Sequence, residues 1–195
     1  MDTKSLYLLI VLAPLVGSII AGLFGSVIGR RATHSVAILG VAISAGLSLR
    51  VLWGFCHGTA EIFDESVYTW LTVAGQTYSI GFLVDSLTAI MLVVVTCVSL
   101  MVHIYTIGYM QDDPGYQRFF SYISLFTFSM LMLVMSNNFV QLFFGWEAVG
   151  LVSYLLIGFW FKRPTAIFAN LKAFLVNRVG DFGFLLGIGM VPVSY

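Results

Sequence analysis

LFFGWEAVGLVSYLLIGFWF, Leu142 to Phe161, is apolar throughout except for one carboxylate, Glu147, and a few small polar groups. About 20 apolar residues are long enough to cross a bilayer as a helix. With the span drawn from Phe139 to Phe161, Glu147 sits about 12 Å from one end and about 21 Å from the other at 1.5 Å per residue. A glutamate side chain cannot reach the interface from there. An ionised carboxylate at that depth costs at least a few kcal/mol unless something pairs with it. Two readings compete: structural pairing, and charge transfer. The second is favoured because the next stretch, NLKAFLVNRVGDFGF, adds Lys172, Arg178 and Asp181 within an apolar background.

Working outward, the composition sets the class. Apolar residues make up 59% of the 195-residue chain and charged residues 9%, and the mean hydropathy is +0.99. A soluble domain carries roughly 25% charged residues. The chain therefore reads as an all-α polytopic membrane protein, a single bundle of six transmembrane helices over residues 1–195. The spans expected are Leu6–Ile28, Thr33–Phe55, Phe82–Ile107, Phe119–Ser136, Phe139–Phe161 and Ala166–Met190. Ser136-Asn137-Asn138 supplies the break between the fourth and fifth. The first apolar run is too long for the core of a cleavable signal peptide. Net charge is zero, which suggests no nucleic-acid partner. Cys97 lies mid-span, and the two cysteines do not suggest a disulfide framework.

Basic residues set the expected orientation. Loops after the first, third and fifth spans carry Arg30, Arg31, Arg118, Lys162 and Arg163, against Lys4 and Arg50 on the opposite side. The positive-inside rule makes the first side cytoplasmic and directs the amino terminus to the periplasm or its equivalent. Between Cys56 and Gly81 the sequence SVYTWLTVAGQTYSI is rich in β-branched and aromatic residues, with a turn expected at Ala74-Gly75-Gln76. This reads as a small hairpin on the outer surface, packing against a neighbour or simply connecting two spans. Asp113-Pro114-Gly115 is a turn on the inner side, with Asp112 and Asp113 solvated. Three Gly-x-x-x-Gly matches indicate only close helix packing.

The polar residues inside the spans differ in what they suggest. Asp85, near the outer end of the third span, reads as a helix cap or interfacial anchor. His103, near its inner end, reads first as a satisfied packing residue and second as a proton relay. Arg50 can snorkel. Arg178 and Asp181 are three apart, share a helix face and are expected to form an ion pair. Lys172 has no partner on its own helix. A lysine sheds its proton when desolvated, whereas an arginine effectively does not. Lys172 is thus the proton-handling base of the set and Arg178 the fixed charge. No glycine-rich phosphate loop, CxxC pair or histidine cluster with metal spacing occurs.

GWEAVGLVSYLLIGFWF, then NLKAFLVNRVGDFGF, preceded by HIYTIGYMQDDPGYQRFFSYISLFTFSMLMLVMSNN, resembles a known family. It is that of the large antiporter-like subunit of respiratory complex I, subunit L of NADH:quinone oxidoreductase, counterpart of mitochondrial NADH dehydrogenase subunit 5. The resemblance runs from about Asp85 to Gly189. It implies that Glu147 matches the family's essential fifth-span glutamate, and Lys172, Arg178 and Asp181 its sixth-span lysine, arginine and aspartate. It further implies proton transfer coupled to quinone reduction elsewhere in the complex. No cofactor is expected in this chain; the parent complex uses FMN, iron–sulfur clusters and a quinone. Expected partners are the other membrane subunits and the lipid of a bacterial or mitochondrial inner membrane.

Family members are about three times this length, so the resemblance implies a fragment, a split-gene product or a truncated reading frame, with the remainder supplied by another chain. The ending GMVPVSY, with Pro192 closing the helix, has no evident family counterpart. The homologous large subunit of multi-subunit sodium/proton antiporters, a structural remnant and an assembly scaffold remain as alternative readings.

Overall fold

A computed structural model describes residues 2–73 and 76–190. The element order is α1 (Thr3–Cys56), β1 (Phe63–Val73), β2 (Gln76–Val84), α2 (Ser86–Tyr109), α3 (Tyr116–Val134), α4 (Phe139–Ile157) and α5 (Pro164–Met190). All five helical elements are long and apolar enough to cross a membrane.

The 54-residue α1 is two rods. Gly29 breaks it with φ 78° and ψ 170°, a left-handed φ that glycine adopts without steric cost. The second half folds back along the first. The Ser44 hydroxyl donates to the Ile10 carbonyl, and a methyl group on Gly40 would meet the Ala13 carbonyl oxygen at 2.6 Å. Farther toward the bend, Gly17 lies against Ala37. The partners converge on Gly29 from both sides, which is the signature of an antiparallel pair. The first two expected spans are therefore the two arms of this one element.

Caps fix the other starts. Asp85 caps α2, its Oδ1 accepting the Thr88 N–H at 2.7 Å. Phe82–Val84, assigned by hydropathy to the third span, instead end β2. Asn138 caps α4 by accepting the Gln141 N–H at 2.8 Å. At its other end α4 stops at Ile157, not Phe161. Residues 158–161 continue the apolar run but turn away from the helix. The Arg118 guanidinium donates to the Phe159 carbonyl at 3.1 Å and lies over the Phe159 ring.

β1 and β2 pair antiparallel, Phe63 opposite Val84 and Glu65 opposite Phe82, with register shifts between Ser66 and Tyr68 and between Thr69 and Leu71. The expected turn at Ala74-Gly75 and the helix stop at Pro192 lie outside the described residues. The hairpin closes one end of the bundle: Phe63 packs on Tyr7, and Phe82 and Val84 are buried with Leu6, Ile10, Leu92, Leu131 and Met135. Lys4 donates to the Ser66 carbonyl at 3.0 Å, and Asn138 to that of Ser79 at 2.9 Å. At the opposite end Arg30 donates to the carbonyls of Gln111 and Asp113, tying the α1 bend to the loop before α3.

α3 packs against both arms of α1, α2 and α4; a methyl on Gly145 would lie 2.8 Å from the Leu133 Cα. α5 touches α4 and leaves most of its surface open; of its described residues only Asp181 is buried.

Candidate functional site

α4 and α5 run antiparallel. Tyr154 meets Phe174 with ring centroids 5.3 Å apart, and Phe143 meets Phe184 at 5.9 Å. Between these two aromatic contacts lie the charged groups of the interface among the described residues. Arg178 donates to Glu147 Oε2 across the helices. The same guanidinium stands 3.5 Å from Asp181 Oδ2 on its own helix. The Trp146 indole N–H donates to Asp181 Oδ1 at 2.9 Å. Arg178 Nε is buried and has no partner among the described residues, while its Cζ lies 5.0 Å from the Phe174 ring centroid. The result is two carboxylates on one arginine, braced by a tryptophan.

With α4 ending at Ile157, Glu147 lies about 12 Å from its first residue and about 15 Å from its last. Arg178 lies about 21 Å from the start of α5 and about 18 Å from Met190. Both halves of the pair are therefore at mid-helix; ending α4 at Ile157 leaves the first distance for Glu147 as hydropathy gave it and shortens the second.

The structure brings together Glu147, Arg178 and Asp181 but not Lys172. Nine residues separate Lys172 from Asp181, which at 3.6 residues per turn puts them on opposite sides of α5. Lys172 is exposed and makes no hydrogen bond or ion pair among the described residues. A cleft of about 680 Å³ runs beside the triad, lined by Asp181, Trp146 and Asn177 and reaching Thr88 and Ser136 near the hairpin end.

His103 belongs to a separate polar cluster. It is fully buried between α2 and α3, Nε2 at 2.9 Å from Ser124 Oγ and Nδ1 at 2.8 Å from the Ser99 carbonyl. Ser99 Oγ pairs in turn with Thr127 Oγ1. Asp85 is engaged as a cap, and the Thr88 N–H, its largest influence, holds its carboxyl below the usual range. Among the described residues, no three His, Cys, Asp or Glu side chains gather as a metal site would require.

Sequence reasoning missed Trp146. A tryptophan inside an apolar span reads as packing, and its N–H gains meaning only once α5 presents Asp181 opposite it. The hydroxyl partners of His103 were missed too, because Ser and Thr in a span usually bond to their own helix.

A charged triad at mid-helix in an apolar helix pair defines the class: a polytopic membrane protein with ionisable groups inside its spans. Residues 70–120 match the family described as NADH-ubiquinone oxidoreductase (complex I), chain 5 N-terminus. Residues 136–193 match that described as NADH:quinone oxidoreductase/Mrp antiporter, transmembrane. Subunit L of the NADH-quinone oxidoreductase of Neisseria meningitidis is 74% identical over 192 residues, 98% of this chain and 28% of the relative. Chain 5 of the NADH-ubiquinone oxidoreductase of Triticum aestivum is 50% identical over 94% of this chain and 27% of its own length. The corresponding chain of Dictyostelium discoideum is 46% identical over 95% and 28%.

The chain belongs to the subunit L and chain 5 family of NADH:quinone oxidoreductases and matches its amino-terminal portion. It spans about 28% of the length of these relatives. The likeness is wider than the motifs implied: it includes the two arms of α1 and the hairpin, and it continues past Pro192 to residue 193. The fold is also that of a chain in an archaeal respiratory membrane complex, the membrane-bound sulfane sulfur reductase. There the TM-score is 0.75 at 19% identity, over 95% of this chain and 27% of the other.

Proposed function

We propose that this chain acts as the amino-terminal part of a proton-translocating subunit of NADH:quinone oxidoreductase, with Glu147 as its proton-loading carboxylate. The observation that carries the reading is the triad of Glu147, Arg178 and Asp181 at mid-depth between α4 and α5. A carboxylate in apolar surroundings favours its neutral form, and a nearby cation favours its charged one. Two carboxylates on one guanidinium are one proton short of neutrality. If Arg178 shifts its weight from Glu147 to Asp181, Glu147 gains a reason to take a proton; the reverse shift expels it. Arg178 is the fixed charge of the device because it keeps its proton. Lys172 acts from the far side of α5 as a modulating base, meeting its partner outside the described residues. His103 and Asp85 are at most accessory to this path.

Quinone reduction and its cofactors, FMN and iron–sulfur clusters, belong to other subunits of the parent complex in this reading, and no cofactor is held here. The partners are the neighbouring membrane subunits of the complex. The membrane is a bacterial or mitochondrial inner membrane, with the hairpin and the amino terminus on the periplasmic or intermembrane side.

The test is Glu147→Gln and Glu147→Asp in the assembled complex, measured as proton pumping in reconstituted vesicles. Gln keeps shape and removes titration, so pumping should be lost while the complex still assembles. Asp should keep part of it. Wild-type pumping by both variants would leave Glu147 as a structural charge. Co-purification of NADH-oxidising iron–sulfur subunits separates this reading from that of a sodium/proton antiporter subunit.

A further inference from the structure

At the end of the bundle away from the hairpin, a second cleft of about 680 Å³ opens between the first arm of α1, the start of α3 and the loop after α4. Its rim carries Arg118, Lys162 and Arg163. One acid, Asp113, shares the lining, but its carboxylate is already used. Oδ1 accepts the Gly115 N–H at 2.7 Å and Oδ2 the Trp160 indole N–H at 3.0 Å. The cations are less committed. Arg118 donates to the Phe159 carbonyl and keeps Nε buried without a partner among the described residues. Lys162 makes no hydrogen bond or ion pair among them. Arg163 overlies the Trp160 ring, at 5.1 Å, and its side chain makes no hydrogen bond among the described residues, though its charge and that of Arg118 both act on Asp113.

Below the rim the walls change character. Ala21 and Gly22 of α1 and Ser121 of α3 line a groove descending along membrane-spanning helices.

We propose that this cleft holds an anionic phospholipid, its phosphate against Arg118, Lys162 and Arg163 and an acyl chain in the groove over Gly22 and Ser121. Topology alone explains why basic residues collect at one end of a bundle. It does not explain why three of them converge on one cleft around a single occupied carboxylate. Basic pockets between helices at the membrane surface suit phospholipid headgroups. A small soluble anion would use the rim and leave the groove empty; a lipid fills both. The inference does not depend on the role of Glu147.

The test uses the full chain in bilayers of phosphatidylcholine with a minority of phosphatidylglycerol, the lipid retained after extraction being counted by native mass spectrometry. The parent should retain phosphatidylglycerol preferentially. Removing two surface cations with Lys162→Gln and Arg163→Gln should lower that preference about 30-fold. Lys162→Arg with Arg163→Lys should preserve it, as should Lys4→Gln at the hairpin end. A double Gln variant that retains the parent's ratio overturns the proposal. Displacement of phosphatidylglycerol from the parent by inorganic phosphate alone overturns it too, in favour of a soluble anion.

A measurement on the parent needs no charge variant. Phosphatidylglycerol with a brominated acyl chain should quench the Trp160 component of fluorescence, identified as that missing in Trp160→Phe, more than brominated phosphatidylcholine does. Equal quenching by the two lipids refutes the site.

Discussion

Arg178 is the hinge of the triad, and a double-mutant cycle measures it. The perturbations are Arg178→Gln, Glu147→Gln and the two combined. Charges 3.5 Å apart, the separation of Arg178 and Asp181, attract by about 5 kcal/mol at an effective dielectric of about 20. The Arg178 side chain is 40% exposed, so that figure needs a heavy discount, to about 2 kcal/mol. The Glu147 contact is a direct charge-assisted hydrogen bond and contributes at least as much. Arg178→Gln leaves two carboxylates facing each other without a cation and should destabilise by about 3 kcal/mol or more. Glu147→Gln leaves Arg178 with Asp181 and should cost about 2 kcal/mol. The double variant should then be more stable than the sum of the singles by about 2 kcal/mol. The assay is reversible unfolding of the purified chain in mixed detergent micelles, followed by circular dichroism. Additivity within about 0.5 kcal/mol would show that the two side chains do not interact, and the triad reasoning would fail with it.

Two further outcomes are expected. Cys56 is exposed at the foot of the hairpin, so an impermeant thiol reagent should label it from the periplasmic side; labelling from the cytoplasmic side alone reverses the proposed orientation. Asp113 is held below the usual carboxylate range, chiefly by the Trp160 indole N–H. Its stabilising effect is therefore present above the unfolded value of about 3.9 and fades as pH falls through the lower folded one. Trp160 fluorescence should show a transition below about pH 4; the same transition in an Asp113→Asn variant would assign it to another group.

The parts of the fold legible in the sequence were those governed by hydropathy and local chemistry. Arg30-Arg31 marked the place where α1 must turn, Ser136-Asn137-Asn138 the break before α4, and the β-branched run after Glu65 the hairpin. Hydropathy failed where apolar residues do something other than extend a helix. Phe82 and Val84 are as apolar as a span but complete a strand, because the Asp85 carboxylate starts α2 after them. Trp160 and Phe161 prolong the apolar run of α4, yet the chain has already turned, with Trp160 bonded to Asp113. At the site, the depth of Glu147 and the shared face of Arg178 and Asp181 followed from residue counting. The pairing of Glu147 with Arg178 rather than Lys172 depends on how α5 is rotated against α4, and that is set by packing such as Phe143 on Phe184 and Tyr154 on Phe174.

That rotation bears on the proposed mechanism more than any single contact does. Of the four ionisable residues in α4 and α5, three face one another and hold two negative charges against one positive. The fourth, Lys172, stands on the opposite side of α5 with its charge unpaired among the described residues. The four charges sum to zero, but the sum is divided by the helix between them. In apolar surroundings such a division is costly, and it is relieved most simply by one proton on the triad and one negative partner for Lys172. Proton arrival at Glu147 and pairing at Lys172 would then be two halves of one neutralisation, felt through α5 rather than through direct contact. A cation that reached Glu147 from Lys172 would have to pass around the helix. A change in what Lys172 pairs with needs no such movement to alter the field at Arg178, six residues further along the same helix and about 9 Å along its axis. Lys172 is suited on this ground to set the balance of the triad, and Glu147 to respond.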